Sequence, residues 1–173
     1  MALQAGDPTM VIPFLGQVNF GIIYSLVLVP AGFTVATNAV NMLAGFNGVE
    51  AGIGIISMTA LAIIAFHLGE MTSLAILLAA LGALIATLRY NWYPAKVFIG
   101  DVGTLSIGAI MAAAVIIGNF EAAGVIVMIP YAVDFFIKAK NRFPSQGWWG
   151  VYSAGKLYCP EGRVNGLAQL IMK

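Results

Sequence analysis

Residues 51–68 read AGIGIISMTALAIIAFHL, a run of apolar and small residues without aspartate, glutamate, lysine or arginine. An uncharged run of this length indicates a helix that crosses a lipid bilayer. The rest of the chain has the same character, because 61% of its residues are hydrophobic and only 9% are charged, whereas soluble domains are about one quarter charged. The sequence therefore predicts an integral membrane protein.

Four further apolar runs are long enough to cross the bilayer once their flanks are included. These four runs are residues 20–41, 72–90, 104–119 and 122–137, and residues 51–68 make the fifth. Glycine, proline and asparagine punctuate the chain between the runs, and Pro30 predicts a kink inside the first one. The expected fold is all-α, a single polytopic membrane domain over residues 1–173 with about five transmembrane helices.

The positions of the basic residues indicate a topology. Five alternating spans place residues 42–50, 91–103 and 138–173 on one face of the membrane, with the last loop at about 138–164. All eight lysine and arginine residues lie on or beside that face: Arg89, Lys96, Lys138, Lys140, Arg142, Lys156, Arg163 and Lys173. Because cytoplasmic segments carry the excess of positive residues, we expect these to be cytoplasmic loops, the last one basic. The net charge of +1 gives no indication of a nucleic-acid partner, and none is expected.

The first of these segments, NMLAGFNGVEAG at residues 41–52, interrupts the hydrocarbon with polar side chains and glycines. Asn41 and Asn47 offer amide oxygens, and glycines at 45 and 48 let a ligand approach the backbone closely. A turn at a helix end uses the same residue types, with Glu50 favourable beside a helix N-terminus. The segment alone therefore leaves both a turn and a binding site open.

The second segment, RYNWYPAKVFIGDVGTLSIG at residues 89–108, contains an aspartate at the start of the fourth span. Asp101 is either an acid that favours the helix N-terminus or a metal ligand, and Thr104 is expected to cap the helix. Spans two and four both begin on this face, and helix N-termini attract phosphate. Mg²⁺ takes oxygen ligands such as a carboxylate, an amide and phosphates, while Arg163 can clamp a phosphate. These features suggest a site for a nucleoside diphosphate.

Three stretches together resemble a known family. They are NAVNMLAGFNGVEAG at residues 38–52, NWYPAKVFIGDVGTLSIG at residues 91–108 and LYCPEGRVNGLAQ at residues 157–169. The chain is similar to the polyprenyl-phosphate N-acetylhexosamine-1-phosphate transferases, and most similar to the dolichyl-phosphate GlcNAc-1-phosphotransferases that begin N-glycosylation. This resemblance implies transfer of GlcNAc-1-phosphate from UDP-GlcNAc to dolichyl or another polyprenyl phosphate, with release of UMP. It also implies a requirement for Mg²⁺, with Mn²⁺ as a substitute.

Carried onto matching positions, the resemblance assigns two groups of residues. Asn41 and Asp101 would be the catalytic pair that binds the Mg²⁺–diphosphate, and Arg163 would contact the diphosphate. The remaining residues would bind the nucleotide: Gly45 and Phe98 on the two faces of the uracil, Asn47 by a hydrogen bond to it, and Glu50 as part of the lining. Trp92 and Tyr93 fit the aromatic belt of the membrane interface.

The sequence departs from the family in two places. The family has two adjacent aspartates on an earlier cytoplasmic loop, whereas the aspartates here are Asp7, Asp101 and Asp134. We therefore expect the chain to correspond to the C-terminal part of a ten-span core and to be inactive alone. In CPEGR, Glu161 and Gly162 stand where the eukaryotic branch has basic residues, so only the arginine carries over.

Several alternatives stay open at this point. A bacterial-type transferase would act on undecaprenyl phosphate, a transporter half would place ionisable residues near mid-bilayer, and a non-catalytic scaffold would bind no nucleotide. A homodimer is also compatible with the resemblance. The site loops would face the cytoplasm at the plasma membrane of a prokaryote or the endoplasmic reticulum of a eukaryote. Asp134 and Lys138 are expected to form a local ion pair, and His67 to have no catalytic role.

Overall fold

The computed structural model describes residues 6–12, 16–143, 151–153, 156–159 and 164–172. The helices are α1 (Val29–Leu43), α2 (Val49–Leu68), α3 (Met71–Asn91), α4 (Gly100–Ile117), α5 (Glu121–Val127), α6 (Ile129–Lys140) and α7 (Leu167–Met172). A π-helical turn at Tyr24–Leu28 leads directly into α1. The described part of the chain is therefore mainly helical, as the sequence predicts.

Within the described residues, four helical segments are long and apolar enough to cross a membrane. They are Tyr24–Leu43, Val49–Leu68, Met71–Asn91 and Gly100–Ile117. Helices α5 and α6 count as a fifth span if they are taken together, although they are bent by 51°. Pro130 in the first turn of α6 suits a helix start but cannot continue the hydrogen-bond ladder of α5. The prediction of an all-α polytopic protein with about five spans is confirmed.

The irregularity expected at Pro30 has a specific form. The proline is the second residue of α1 and follows the π-helical turn, so it lies inside a continuous helical segment, and the wider turn before it accommodates the residue that lacks an N–H. The first span therefore runs through the proline as one segment of 20 residues, Tyr24–Leu43.

Among the described residues, two short antiparallel strand pairs lie outside the spans. Strand β1 (Thr9–Ile12) pairs antiparallel with β2 (Gly16–Asn19), with Thr9 opposite Asn19. Strand β3 (Val151–Ser153) pairs antiparallel with β4 (Lys156–Tyr158) inside the basic loop. The sequence indicates only loops at these positions, because strands of three or four residues contain too few alternations to be recognised.

Helices α1 and α4 pack antiparallel at a distance that only a glycine permits. A Cβ atom added at Gly108 in α4 would lie 2.5 Å from the carbonyl oxygen of Ala36 in α1. Small residues allow such backbone contact between membrane helices. The C-terminal turn of α1 is consequently held against the N-terminal turn of α4, and this contact positions the candidate site.

The remaining helices form a bundle around a buried apolar core. Helix α2 packs on α3, α3 packs on α4, and α6 packs on α1. The core includes Val40, Met58, Leu61, Leu77 and Met111. Large apolar side chains also cover the outside of the bundle, as expected for a protein whose surroundings are lipid.

Candidate functional site

The polar residues of the sequence collect at one end of the bundle, which we call the polar end. It consists of the last turn of α1, loop 44–48, loop 92–99 and the first turn of α4. Helices α3 and α6 end on the same side, so exposed basic residues surround it: Arg89, Lys96, Lys140 and Arg142. The structure therefore brings the two predicted polar loops together.

Asn41 and Thr104 join α1 to α4 at the centre of the polar end. The Thr104 hydroxyl donates to the Asn41 Oδ1 atom across 2.7 Å, and the Thr104 side chain is buried. The same hydroxyl lies 3.1 Å from the carbonyl oxygen of Asp101. Because an amide oxygen has two lone pairs, Asn41 keeps one acceptor position for a ligand or cation.

Thr104 does not cap α4 as the sequence predicts. The helix begins at Gly100, four residues earlier, and its N-cap position, Ile99, makes no side-chain capping bond. Thr104 therefore lies in the second turn, where its hydroxyl contacts α1 instead of the N–H groups of its own helix. The expected local cap is in fact a contact between two helices.

Asp101 lies in the first turn of α4 with its side chain exposed. No hydrogen bond or ion pair to its carboxylate occurs within the described residues. A carboxylate is favourable at a helix N-terminus, but this position leaves both oxygens available to an incoming group. Asp101 and Asn41 thus lie at the same end of the bundle, bridged by Thr104.

Loop 44–48 is shaped by two glycines and one glutamate. Gly45 and Gly48 have φ angles of 136° and 80°, values that residues with a Cβ rarely adopt. The Gly45 N–H donates to the Glu50 Oε1 atom across 2.9 Å, which ties the loop to the first turn of α2. Glu50 Oε2 is buried without a hydrogen-bond partner among the described residues. Glu50, predicted only to line the site, therefore holds the backbone of Gly45 in place.

Asn91 is a site residue that the sequence reasoning missed. Its buried side chain accepts a hydrogen bond from the Gly48 N–H and donates one to the Val97 carbonyl, both at 2.9 Å. One amide thus connects loop 44–48 to loop 92–99, beside Asn47 in the first and Phe98 in the second. The only signal in the sequence is an asparagine at the predicted end of a span, which does not reveal burial.

Loop 92–99 presents aromatic rings at the surface. Phe98 is 75% exposed, and Trp92 and Tyr93 are exposed as well. A ring that is already uncovered can stack on a planar base with no change in the core. Asn47 is half-buried and Gly45 is exposed across the other loop. Arg163 lies outside the described residues.

The residues at the polar end suit a hard cation that is shared with a ligand. Among the described residues, no cluster of three histidine, cysteine, aspartate or glutamate side chains is present. Mg²⁺ is commonly held by only one or two protein carboxylates together with phosphate oxygens and water. The Asp101 carboxylate and the Asn41 amide oxygen are donors of the required type, so the residues fit such an ion.

The comparisons with known proteins identify the class. Residues 1–119 match the family described as Glycosyl transferase family 4. This match covers more than half of the chain, and the chain therefore belongs to that family.

Three relatives give a more specific likeness. A Saccharolobus solfataricus protein with the provisional name UDP-N-acetylglucosamine–dolichyl-phosphate N-acetylglucosaminephosphotransferase is 41% identical over 98% of this chain and 53% of its own length. A Sulfolobus acidocaldarius protein with the same name is 37% identical over 98% of the chain and 52% of its own length. The phospho-N-acetylmuramoyl-pentapeptide-transferase of Clostridium perfringens is 42% identical over 71% of the chain and 39% of its own length. The chain thus spans about half the length of the first two relatives.

Proposed function

We propose that the chain supplies the nucleotide-sugar half of a membrane transferase. The enzyme moves N-acetylglucosamine-1-phosphate from UDP-N-acetylglucosamine to a polyprenyl phosphate of the dolichyl type and releases UMP. Two relatives that match 98% of the chain carry the name of this activity. The structural observation that supports it best is the Asn41–Thr104 contact, which brings the amide of Asn41 to the helix turn that contains Asp101.

The reaction is a phosphoryl transfer. An oxygen of the lipid phosphate attacks the β-phosphorus of the UDP-sugar, a new P–O bond forms, and the bond to the UMP oxygen breaks. Catalysis of this kind depends on positioning and on neutralising charge. Asp101 and Asn41 would hold Mg²⁺, and the ion would supply positive charge to neutralise the diphosphate. Mn²⁺ has the same preference for oxygen ligands and substitutes for it.

The two loops bind the nucleoside. Phe98 stacks on the uracil, Gly45 allows the base to approach the backbone from the other side, and Asn47 donates or accepts a hydrogen bond at the base edge. Glu50 and Asn91 fix the loops that carry these groups. Arg163 contacts the diphosphate from the basic loop.

The polar end faces the cytoplasm. The exposed basic residues around it support this orientation through the bias that positive residues have for the cytoplasmic side. A nucleotide sugar made in the cytoplasm then reaches the site directly, and the lipid phosphate approaches from the inner leaflet.

Substrate assays test the proposal. The assay uses the full-length protein that contains this chain, in detergent or nanodiscs with Mg²⁺. It is given labelled UDP-N-acetylglucosamine and dolichyl phosphate, and labelled lipid is extracted. We expect the label in a lipid-linked diphosphate and an equal amount of UMP. Absence of both products, in protein that binds dolichyl phosphate, would contradict the proposed transfer.

A second candidate is a transferase that uses undecaprenyl phosphate and a UDP-muramoyl peptide. The 42% identity to the Clostridium perfringens enzyme favours it, although that likeness covers a smaller share of the chain. The same assay, run with both lipids and both UDP-sugars, separates the two candidates by which pair gives product.

A further inference from the structure

Asp134 and Lys138 form a buried ion pair near the polar end of α6. Lys138 Nζ lies 2.7 Å from Asp134 Oδ2, and the residues are only 8% and 2% exposed. The local i, i+4 pair that the sequence predicts is therefore confirmed. Removing two charges from water is unfavourable unless further bonds compensate for the lost hydration, so the other contacts of each residue are informative.

Lys138 reaches a second helix. Its ammonium group donates to the carbonyl oxygen of Met42, in the last turn of α1 and next to Asn41. The last carbonyls of a helix have no partner within it, and a positive charge there is favourable. Lys138 therefore fixes the end of the helix that carries Asn41.

Asp134 reaches the C-terminal segment. Its Oδ1 atom accepts a hydrogen bond from the Leu167 N–H, at the start of α7, across 2.8 Å. A Cβ atom at Gly166 would lie 3.1 Å from the same oxygen, so the backbone passes close by. The Asn141 side chain also donates to the Val164 carbonyl across 2.6 Å. Segment 164–172 is thus attached to the end of α6, directly after the position of Arg163.

We propose that Asp134 and Lys138 are positioning residues that hold the end of α1 and segment 164–172 in one register, so that Asn41 stays in place in the nucleotide site. This inference rests on the proposed function. The pair acts through its outward contacts, Lys138 to Met42 and Asp134 to Leu167, and the bond between the two charges keeps both side chains in place.

A charge swap separates this role from that of a local ion pair. Asp134→Lys combined with Lys138→Asp restores opposite charges four residues apart on α6. However, the lysine at 134 cannot accept from Leu167 N–H, and the aspartate at 138 cannot donate to the Met42 carbonyl. A local pair predicts recovery in the swapped protein, whereas the positioning role predicts none.

The binding experiment uses UDP with Mg²⁺, titrated into the full-length protein in nanodiscs. We expect Asp134→Ala and Lys138→Met each to weaken binding by about tenfold, the loss of one buried charge-assisted bond, and the swap to recover nothing. Lys140→Gln, at an exposed lysine of the same helix, is the control and should bind as the wild type does. Hydrogen exchange of segment 164–172 should become faster in the single variants and in the swap.

Gly166→Val serves if the charge variants do not fold. It crowds the Asp134 carboxylate while leaving both charges in place, and it should weaken UDP binding and accelerate exchange in segment 164–172. Recovery of wild-type affinity by the swap, or unchanged affinity in Gly166→Val, would overturn the inference. If the wild type does not bind UDP, the proposed function fails instead. Faster exchange in the variants would then show only that the ion pair holds segment 164–172 against α6.

Discussion

The two ends of the bundle use polar residues in different ways. At the end opposite the polar end, the Tyr24 hydroxyl donates to Glu121 and the Ser73 hydroxyl donates to the Ala114 carbonyl. His67 bonds to the Ile63 carbonyl of its own helix. Each of these polar groups therefore bonds either to another helix or to its own helix.

At the polar end, similar bonds hold the helices together, but other polar and aromatic side chains remain exposed. Thr104 and Asn91 join segments far apart in the sequence, as Tyr24 and Glu121 do at the other end. The Asp101 carboxylate and the Phe98 ring, in contrast, are exposed beside those joints. Buried polar contacts thus hold the structure together at either end, whereas the proposed site consists of exposed groups on a rigid support.

The largest expected effect comes from Asp101→Asn in the full-length protein. The transfer rate should fall about a hundredfold to a thousandfold, the usual loss when a group that stabilises developing charge is removed. The side chain is exposed, so the midpoint of thermal unfolding should not change. Glu121→Gln is the matched control at the opposite end, and it should lower the unfolding midpoint while each folded molecule keeps its rate. Equal rates for Asp101→Asn and wild type would refute the role of Asp101.

Gly108→Ala tests whether the α1–α4 contact supports the site. The added methyl group meets the α1 backbone, and we expect a loss of about 1–3 kcal/mol in unfolding free energy together with weaker UDP binding. Gly82→Ala in α3 is the control, because open space surrounds that position, and it should be neutral or slightly stabilising. Chemical denaturation and UDP titration measure the two effects, and similar behaviour of both variants would contradict the tight contact.

Asn91→Leu should lower both the stability and the UDP affinity. It leaves the Gly48 N–H and the Val97 carbonyl without a partner, at a cost of about 1–3 kcal/mol, and loosens both loops. Asn119→Leu at the opposite end removes one long bond from an exposed side chain and also strains the backbone, because Asn119 has a φ of 52°, so it controls for a general loss of stability. UDP affinity should fall in Asn91→Leu alone. A fall in both variants would contradict a specific role of Asn91 in linking the two loops.

Phe98→Ala should have the smallest effect on the fold and a selective one on binding. Its ring is exposed, so stability should not change, while loss of stacking should cost about 1–3 kcal/mol of UDP affinity. Tyr93→Ala, an equally exposed ring in the same loop, is the control. Affinity for the lipid phosphate should be unchanged in both, and equal loss of UDP and lipid binding would contradict stacking.

Much of the fold was predictable from the sequence. The apolar runs gave the spans because every membrane helix needs about twenty apolar residues. Alternation of the spans then placed the Asn41 and Asp101 segments at the same end. The polar loops were recognisable because asparagine, glycine and aspartate are conspicuous between hydrocarbon runs.

The contacts that fix the site were not predictable in the same way. Thr104 and Asn41 are 63 positions apart, and nothing in either segment indicates that one donates to the other. Asn91 resembles any polar residue at a helix end until its burial is known. The spacing of Asp134 and Lys138 predicts an ion pair on one helix, but it does not indicate the second partner of Lys138 on α1. Each of these contacts depends on how distant helices pack, which one sequence does not specify locally.

A titration of UDP with and without Mg²⁺ measures whether the polar end binds a nucleotide through a cation held by Asp101. Calorimetry on the full-length protein and on Asp101→Asn, each in Mg²⁺ and in EDTA, gives four affinities. We expect EDTA to weaken UDP binding to the wild type by about tenfold or more, as loss of a charged contact should, and hardly to change the already weak binding to Asp101→Asn. The same Mg²⁺ dependence in both proteins would contradict this expectation.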